Sequence, residues 1–268
     1  MSAPGYRRAD MSLTLDVDEA VATVCFAHPP VNALSGSVID ELEQVVDRLA
    51  QDDSVRVVVF TGSGTKAFLS GADITELPAL MGEPGALQQR AARVNALCDR
   101  IAGLPQPTIA AVQASAIGGG LEFALLCDLF VCAQDAVLAL PEVGLGLLPG
   151  AGGTQRLPRR LPLTVAMGML LLGEPLSAQD ALSHGLVNRV LPAAEVLPEA
   201  LRMAHRLARA PLIAVRALKR AVYLGLDAPL ADGLHREAES FAEAARSQDA
   251  AEGVGAFLER RRPVFSHR

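Results

Sequence analysis

The chain has 268 residues, half of them apolar, with a mean hydropathy of +0.28, yet only 4% are aromatic and none is Trp. That length holds one large domain or two small ones around a sizeable core, and 20% charged residues exclude wholesale disorder. A formal net charge of −6 argues against a general nucleic-acid binder, which needs a basic excess. The greasiest stretch, 108–133, contains Gln113, Glu122 and Asp128, and central ionised groups are costly in a membrane span, so none is expected.

Residues 1–10 carry Arg7 and Arg8 but no apolar run before a cleavage site, so 1–11 reads as an unstructured leader of a cytoplasmic protein. Residues 13–16 and 21–26 alternate apolar and polar, a strand pair ended by Pro29 and Pro30. Residues 37–50 have helical periodicity, with Val38, Leu42, Val45, Val46 and Leu49 on one face. The apolar run 55–60 predicts a buried strand. Gly71, Ala72 and Asp73 open a short helical segment, with Asp73 as its N-cap. A helix is expected over 85–102, a buried strand over 108–113 and a helix from Leu121 to about Cys127. Short strands follow over 129–132 and 137–140. Beyond Gly150 the pattern turns helical, over 152–160, 163–172, 178–184, 193–209, 212–224, 229–247 and 250–262. Gly185 marks a helix stop, and 187–191 reads as a brief strand. The class is α/β with a helical C-terminal extension.

Several chemistries drop out on spacing. Gly144, Gly146 and Gly150 make only a broken dinucleotide fingerprint, Gly64 and Lys66 lack P-loop spacing, and no G-x-S-x-G elbow occurs. Cys25, Cys98, Cys127 and Cys132 form no C-x-x-C pair and sit in apolar settings, so free thiols are expected. His28, His184, His205, His235 and His267 show no ligand spacing, so no metal site is expected.

What remains is polar residues in apolar places. Glu122 opens an apolar helix after three glycines, and Glu142 follows Pro141 at the end of an apolar strand. Either could merely cap a helix or pair with an arginine. Two in like settings point to acid–base chemistry, because apolar surroundings raise carboxyl pKa values and separate acid from base. The turns at Gly71 and at Gly118, Gly119 and Gly120 either pack helix on strand tightly or leave N–H groups free for an oxyanion.

These residues lie within an ordered set: HPPVNALS (28–35), KAFLSGADI (66–74), GGGLE (118–122), CDL (127–129), PE (141–142), LPGAGGTQRL (148–157), GLVNRV (185–190), then EG and FLERR within 252–261. The set resembles the crotonase (enoyl-CoA hydratase/isomerase) superfamily over about residues 12–265. The resemblance implies a ββα spiral core over 12–200 that binds acyl-CoA. It also implies a helical oligomerisation region over 201–268, assembled as a homotrimer or a pair of trimers. It implies the backbone N–H groups of Ala72 and Gly119 as an oxyanion hole for the thioester carbonyl. Glu122 and Glu142 fall on the glutamate pair of hydratases, and Gly150 falls near the catalytic water. Coenzyme A enters as part of the substrate, with no separate cofactor, and its contacts fall on Lys66, Ala72, Asp73, Ile74, Thr75 and Gly119. The implied reaction adds water across the 2,3 double bond of a 2-enoyl-CoA. The alternative is other crotonase chemistry, such as double-bond isomerisation or methylglutaconyl-type hydration. Three positions depart from the family pattern: Ala114 replaces a glycine, Leu138 a common aromatic, and Thr75 a basic residue near the CoA phosphates. The last shifts that contact to Lys66 or the Arg260 to Arg262 run. Residues 81–95 are expected to line the acyl pocket.

Overall fold

The structure, a computed structural model, describes residues 12–268, and the leader expected over 1–11 lies outside the described residues. The first strands, β1 (Leu13–Asp18) and β2 (Val21–Phe26), pair antiparallel in register from Leu13 opposite Phe26 to Asp18 opposite Val21. Helix α1 (Gly36–Gln51) starts at Ser35, whose side chain caps the Val38 N–H, and buries the stripe from Val38 to Leu49 against the sheet.

Three strand–strand units then follow. They are β3 (Val57–Gly62) with β4 (Ala67–Leu69), β5 (Thr108–Val112) with β6 (Ser115–Ile117), and β7 (Leu129–Ala133) with β8 (Val137–Ala139). Helices α2 (Leu77–Gly82) and α3 (Ala86–Ala102) separate the first two units, and α4 (Gly119–Ala124) separates the second and third. Each unit gives one strand to each of two sheets. The larger sheet has the order β1-β2-β3-β5-β7-β10 and the smaller β4-β6-β8-β9, where β9 is Leu176–Ser177 and β10 is Arg189–Leu191. Within the larger sheet only β1 runs against its neighbour. A run of parallel strands buried on both faces needs continuous apolar sequence, and every residue of β3 and β5 is buried.

The chain is poor in aromatics, yet Phe26, Phe60, Phe68 and Phe123 meet in one cluster. Phe123, from α4, lies edge-on to Phe26 and Phe60 at 5.1 Å each. Those contacts lock α4 over the sheets, and α4 carries Glu122.

The C-terminal half is helical: α5 (Gly153–Arg156), α6 (Leu163–Leu172), α7 (Ala178–Ser183), α8 (Ala193–Ala208), α9 (Leu212–Leu226), α10 (Leu230–Ala245) and α11 (Gln248–Leu258). Helix α8 lies across β3, β5 and β7 with Ala200, Ala204 and Ala208 buried, so the division drawn after residue 200 falls inside one packed helix. Two expectations needed correcting. Helix α4 begins at Gly119, inside the glycine run, and the smaller sheet was foreseen only at β8, which lies in the apolar run 137–140, while β4, β6 and β9 were not foreseen. All four cysteines are free, and burial pushes Cys98, Cys127 and Cys132 up to about 12. Among the described residues no helix is long and apolar enough to cross a membrane.

Candidate active site

The first wall of the site is built by Asn32. Its buried amide donates to the carbonyls of Ser63, Ala67 and Phe68 at 3.0–3.1 Å, and its Oδ1 accepts from the His28 N–H. This ties the 28–35 segment to the edge of β4. Leu34 then bridges the turn at Ala72: its N–H donates to Gly71 O at 2.8 Å and its carbonyl accepts from Asp73 N–H at 3.4 Å. The bridge uses groups of Gly71 and Asp73, and among the described residues the N–H of Ala72 itself has no partner. Asp73 caps the following turn through Thr75 N–H at 3.0 Å and Thr75 Oγ1–H at 2.7 Å, which holds its carboxyl below the usual range.

The second wall is the glycine run. Gly118 sits at φ +55, and a methyl group there would lie 3.0 Å from Glu142 Oε1. Gly119 begins α4, so its N–H has no intrahelical partner. Gly120 packs so closely that a methyl group would lie 2.0 Å from Leu69 O. Gly71 faces this run at φ +90, and a methyl group there would lie 2.8 Å from Gly119 N. The two turns therefore touch through backbone alone. Among the described residues, neither Ala72 N–H nor Gly119 N–H donates a hydrogen bond.

Both turns open on a cavity of about 370 Å³, lined also by Glu122, Glu142, Asp73, Ile74 and Gly150. Its remaining wall is largely apolar, from Leu77 and Leu80 to Leu87, Ala91 and Val94 of α3, with Leu145, Leu147 and Leu148 opposite. Within the expected 81–95 segment, Leu87, Arg90, Ala91 and Val94 line it. Lys66 lies exposed outside the cavity lining, and Thr75 is outside it too. In the basic run, Arg261 is committed to Glu252, at 2.6 and 2.8 Å, and to Glu259.

Glu122 is only 3% exposed. Its Oε1 accepts from the N–H groups of Ala151 and Gly153 at 2.8 and 2.7 Å, while Oε2 receives no donor from the described residues. Burial raises its pKa, and the two N–H donors with nearby Arg156 oppose that rise. Glu142 is half-buried on a 3₁₀ turn after Pro141, and its buried Oε2 has no partner. Desolvation, reinforced by the neighbouring Glu122, pushes it up to about 6. Reading the residues in order did not single out Asn32, the Glu76–Arg90 pair on the cavity wall, or Arg156. The first and last sit inside the quoted motifs, so a buried amide or guanidinium there was the available signal.

The cavity thus combines a largely apolar wall, two lining residues whose backbone N–H groups have no partner among the described residues, and two carboxyls of raised pKa. The Enoyl-CoA hydratase/isomerase family model matches residues 16–268, and the chain belongs to that family. It is 39% identical over 255 residues to a probable enoyl-CoA hydratase of Bacillus subtilis, covering 95% of this chain and 98% of the relative. It is 36% identical to a crotonyl-CoA hydratase of Syntrophomonas wolfei, covering 95% and 97%. A crystal structure of an enoyl-CoA hydratase from Geobacillus kaustophilus superposes with a TM-score of 0.94 at 34% identity, covering 99% of this chain and all of that one.

Proposed function

We propose that this chain is an enoyl-CoA hydratase that adds water across the 2,3 double bond of a 2-enoyl-CoA to give a 3-hydroxyacyl-CoA. One observation carries the reading: Ala72 and Gly119, whose backbone N–H groups have no partner among the described residues, line the same cavity as Glu122 and Glu142. The thioester carbonyl oxygen accepts both donors. This draws electron density toward oxygen and makes C3 electrophilic. Glu122, held at Oε1, uses its free Oε2 to take a proton from the water that adds to C3. The enolate charge gathers on the thioester oxygen between the two N–H groups. Glu142, with a carboxyl that titrates at about 6, gives its proton to C2 and completes the addition. Coenzyme A is carried in with the acyl group, its adenine and pantetheine beside Ala72, Asp73, Ile74 and Thr75, its phosphates toward Lys66.

The test is loss of the enoyl-thioester absorbance of crotonyl-CoA, with 3-hydroxybutyryl-CoA identified as the product. A shifted double bond in place of the alcohol would favour the isomerase alternative. The subunit arrangement belongs to the same proposal. Leu163, Leu171 and Leu172 of α6, with Phe241, Phe257 and Leu258 of α10 and α11, are 61–81% exposed in the single chain. Apolar surface of that extent suits burial between copies as a trimer or pair of trimers. Light scattering that shows a stable monomer would overturn that arrangement. We place the enzyme in the cytoplasm, a reading supported by its four free cysteines.

A further inference from the structure

Glu122 is aimed by a loop, and something must hold the loop. The segment 150–153 runs from irregular backbone at 150–152 into the first residue of α5, and its N–H groups at Ala151 and Gly153 fix Glu122 Oε1. Helix α3 and Arg156 fasten that segment from outside. Asn95 Nδ2 donates to Gly150 O at 3.1 Å. Arg156 Nη1 donates to Ala151 O at 3.1 Å, and Arg156 Nη2 binds Asp99 Oδ1 at 3.0 Å. The guanidinium lies against the backbone of Gly152, where φ is +99 and a methyl group would fall 1.9 Å from Nη1. Asn95 and Asp99 are four residues apart, one turn of α3, so they present on one face of that helix. A single peptide unit thus has its carbonyl on Arg156 and neighbouring N–H groups on Glu122.

We propose that Arg156, anchored on Asp99 and seconded by Asn95, is a positioning residue that holds the 150–153 loop in register so that Glu122 presents Oε2 to water. This rests on the hydratase reading above. The charged and titratable groups around Glu122 are Glu142 from its turn, Arg156 from α5, and Cys98 of α3 with Asp99 beside it. The strands β4 and β6 beneath α4 bring none. Arg156, at the end of α5, is therefore the cation that acts on Glu122, and removing it takes away both geometry and charge.

The test uses the full chain and crotonyl-CoA. R156M is expected to lower kcat about 100-fold, the scale of a 1 Å misplacement, while KM changes little. The acid limb of the kcat/KM profile should move to higher pH, because ionised Glu122 loses a supporting cation. R156K should restore part of kcat. D99N, at an exposed partner, should cost about fivefold at most. Hydrogen exchange at the amides of Ala151 and Gly153 should speed up in R156M, a readout independent of turnover. If R156M is too unstable to purify, R156K and D99N must show the same graded loss and the same shift of the acid limb. Wild-type protein inactive on every 2-enoyl-CoA overturns the hydratase reading. Active wild type, with R156M or the graded pair unchanged in kcat, acid limb and amide exchange, overturns the positioning role alone.

Discussion

The two glutamates occupy opposite kinds of ground. Glu122 stands on a helix pinned by Phe123 between two sheets, and one of its oxygens is saturated by two backbone donors. Glu142 stands on a 3₁₀ turn flanked by exposed Val143 and Leu145, and one of its oxygens is buried without a partner. Both are desolvated, Glu122 the more deeply, but two backbone donors offset part of that cost at Glu122, while Glu142 Oε2 has no partner among the described residues. Donors to a carboxylate favour its charge, and desolvation disfavours it. That difference is what the proposed roles of proton acceptor for Glu122 and proton donor for Glu142 rest on.

The largest test of this contrast is E142Q, which keeps shape and removes the proton. We expect turnover of crotonyl-CoA to fall by about 10²–10⁴-fold, with E122Q falling in the same range. Only E142Q should also stop exchange of solvent hydrogen into C2 of the 3-hydroxyacyl product, and exchange that survives E142Q but not E122Q would reverse the assignment. Next comes G71A. Its methyl group would press on Gly119 N at a backbone angle alanine adopts poorly, so the oxyanion site should open and kcat fall about 10²–10³-fold. That loss should leave the titration of both carboxyls unchanged, because neither touches the turn at Gly71.

A smaller effect concerns folding. The folded pKa of Glu142 is about 6 against an ordinary 4.5, so between those values the unfolded chain loses its proton first. Stability from this group is therefore highest below about pH 4.5 and is lost as pH rises through 6. Gln carries no such charge, so E142Q should be more stable than wild type at pH 7.5, by about 1 kcal/mol after allowing for solvent screening of a half-exposed side chain. Urea unfolding at pH 7.5 and 4.5 measures this, and an equal gain at both would remove the desolvation argument. The smallest effect is electrostatic crosstalk. Glu122 is the lesser cause of the raised Glu142 pKa, so E122Q should lower that pKa only partway toward 4.5. Carbon-13 NMR of labelled glutamate reads it directly.

Much of the fold was legible along the chain. Helix α6 ends where its apolar run ends, and β1 with β2 follows from alternation between Leu13 and Phe26. Asp73 capped as its residue type predicts. The smaller sheet was not legible beyond β8, since β4, β6 and β9 are two or three residues long and exist through their pairing in the sheet, β6 and β9 on either side of β8 and β4 on β6. The site was half legible. Glu122 and Glu142 announce themselves as carboxyls in apolar runs, and the glycines as breaks in them. Nothing local announces that Ala151 and Gly153 reach back 29 and 31 residues to Glu122, or that Lys66 lies outside the cavity lining.

The sequence by itself determined the α/β class, most elements, the two carboxyls, the glycine turns that free N–H groups and the family resemblance. Each of these is written in local periodicity, backbone permissiveness or ordered motif. Only the tertiary structure decided that Gly71 meets Gly119, that Glu122 Oε1 takes two backbone donors while the buried Glu142 Oε2 takes none from the described residues, and that Arg156 grips the segment that supplies those donors. Those facts depend on segments far apart in the chain being brought within hydrogen-bond distance, and a one-dimensional pattern holds no record of distance.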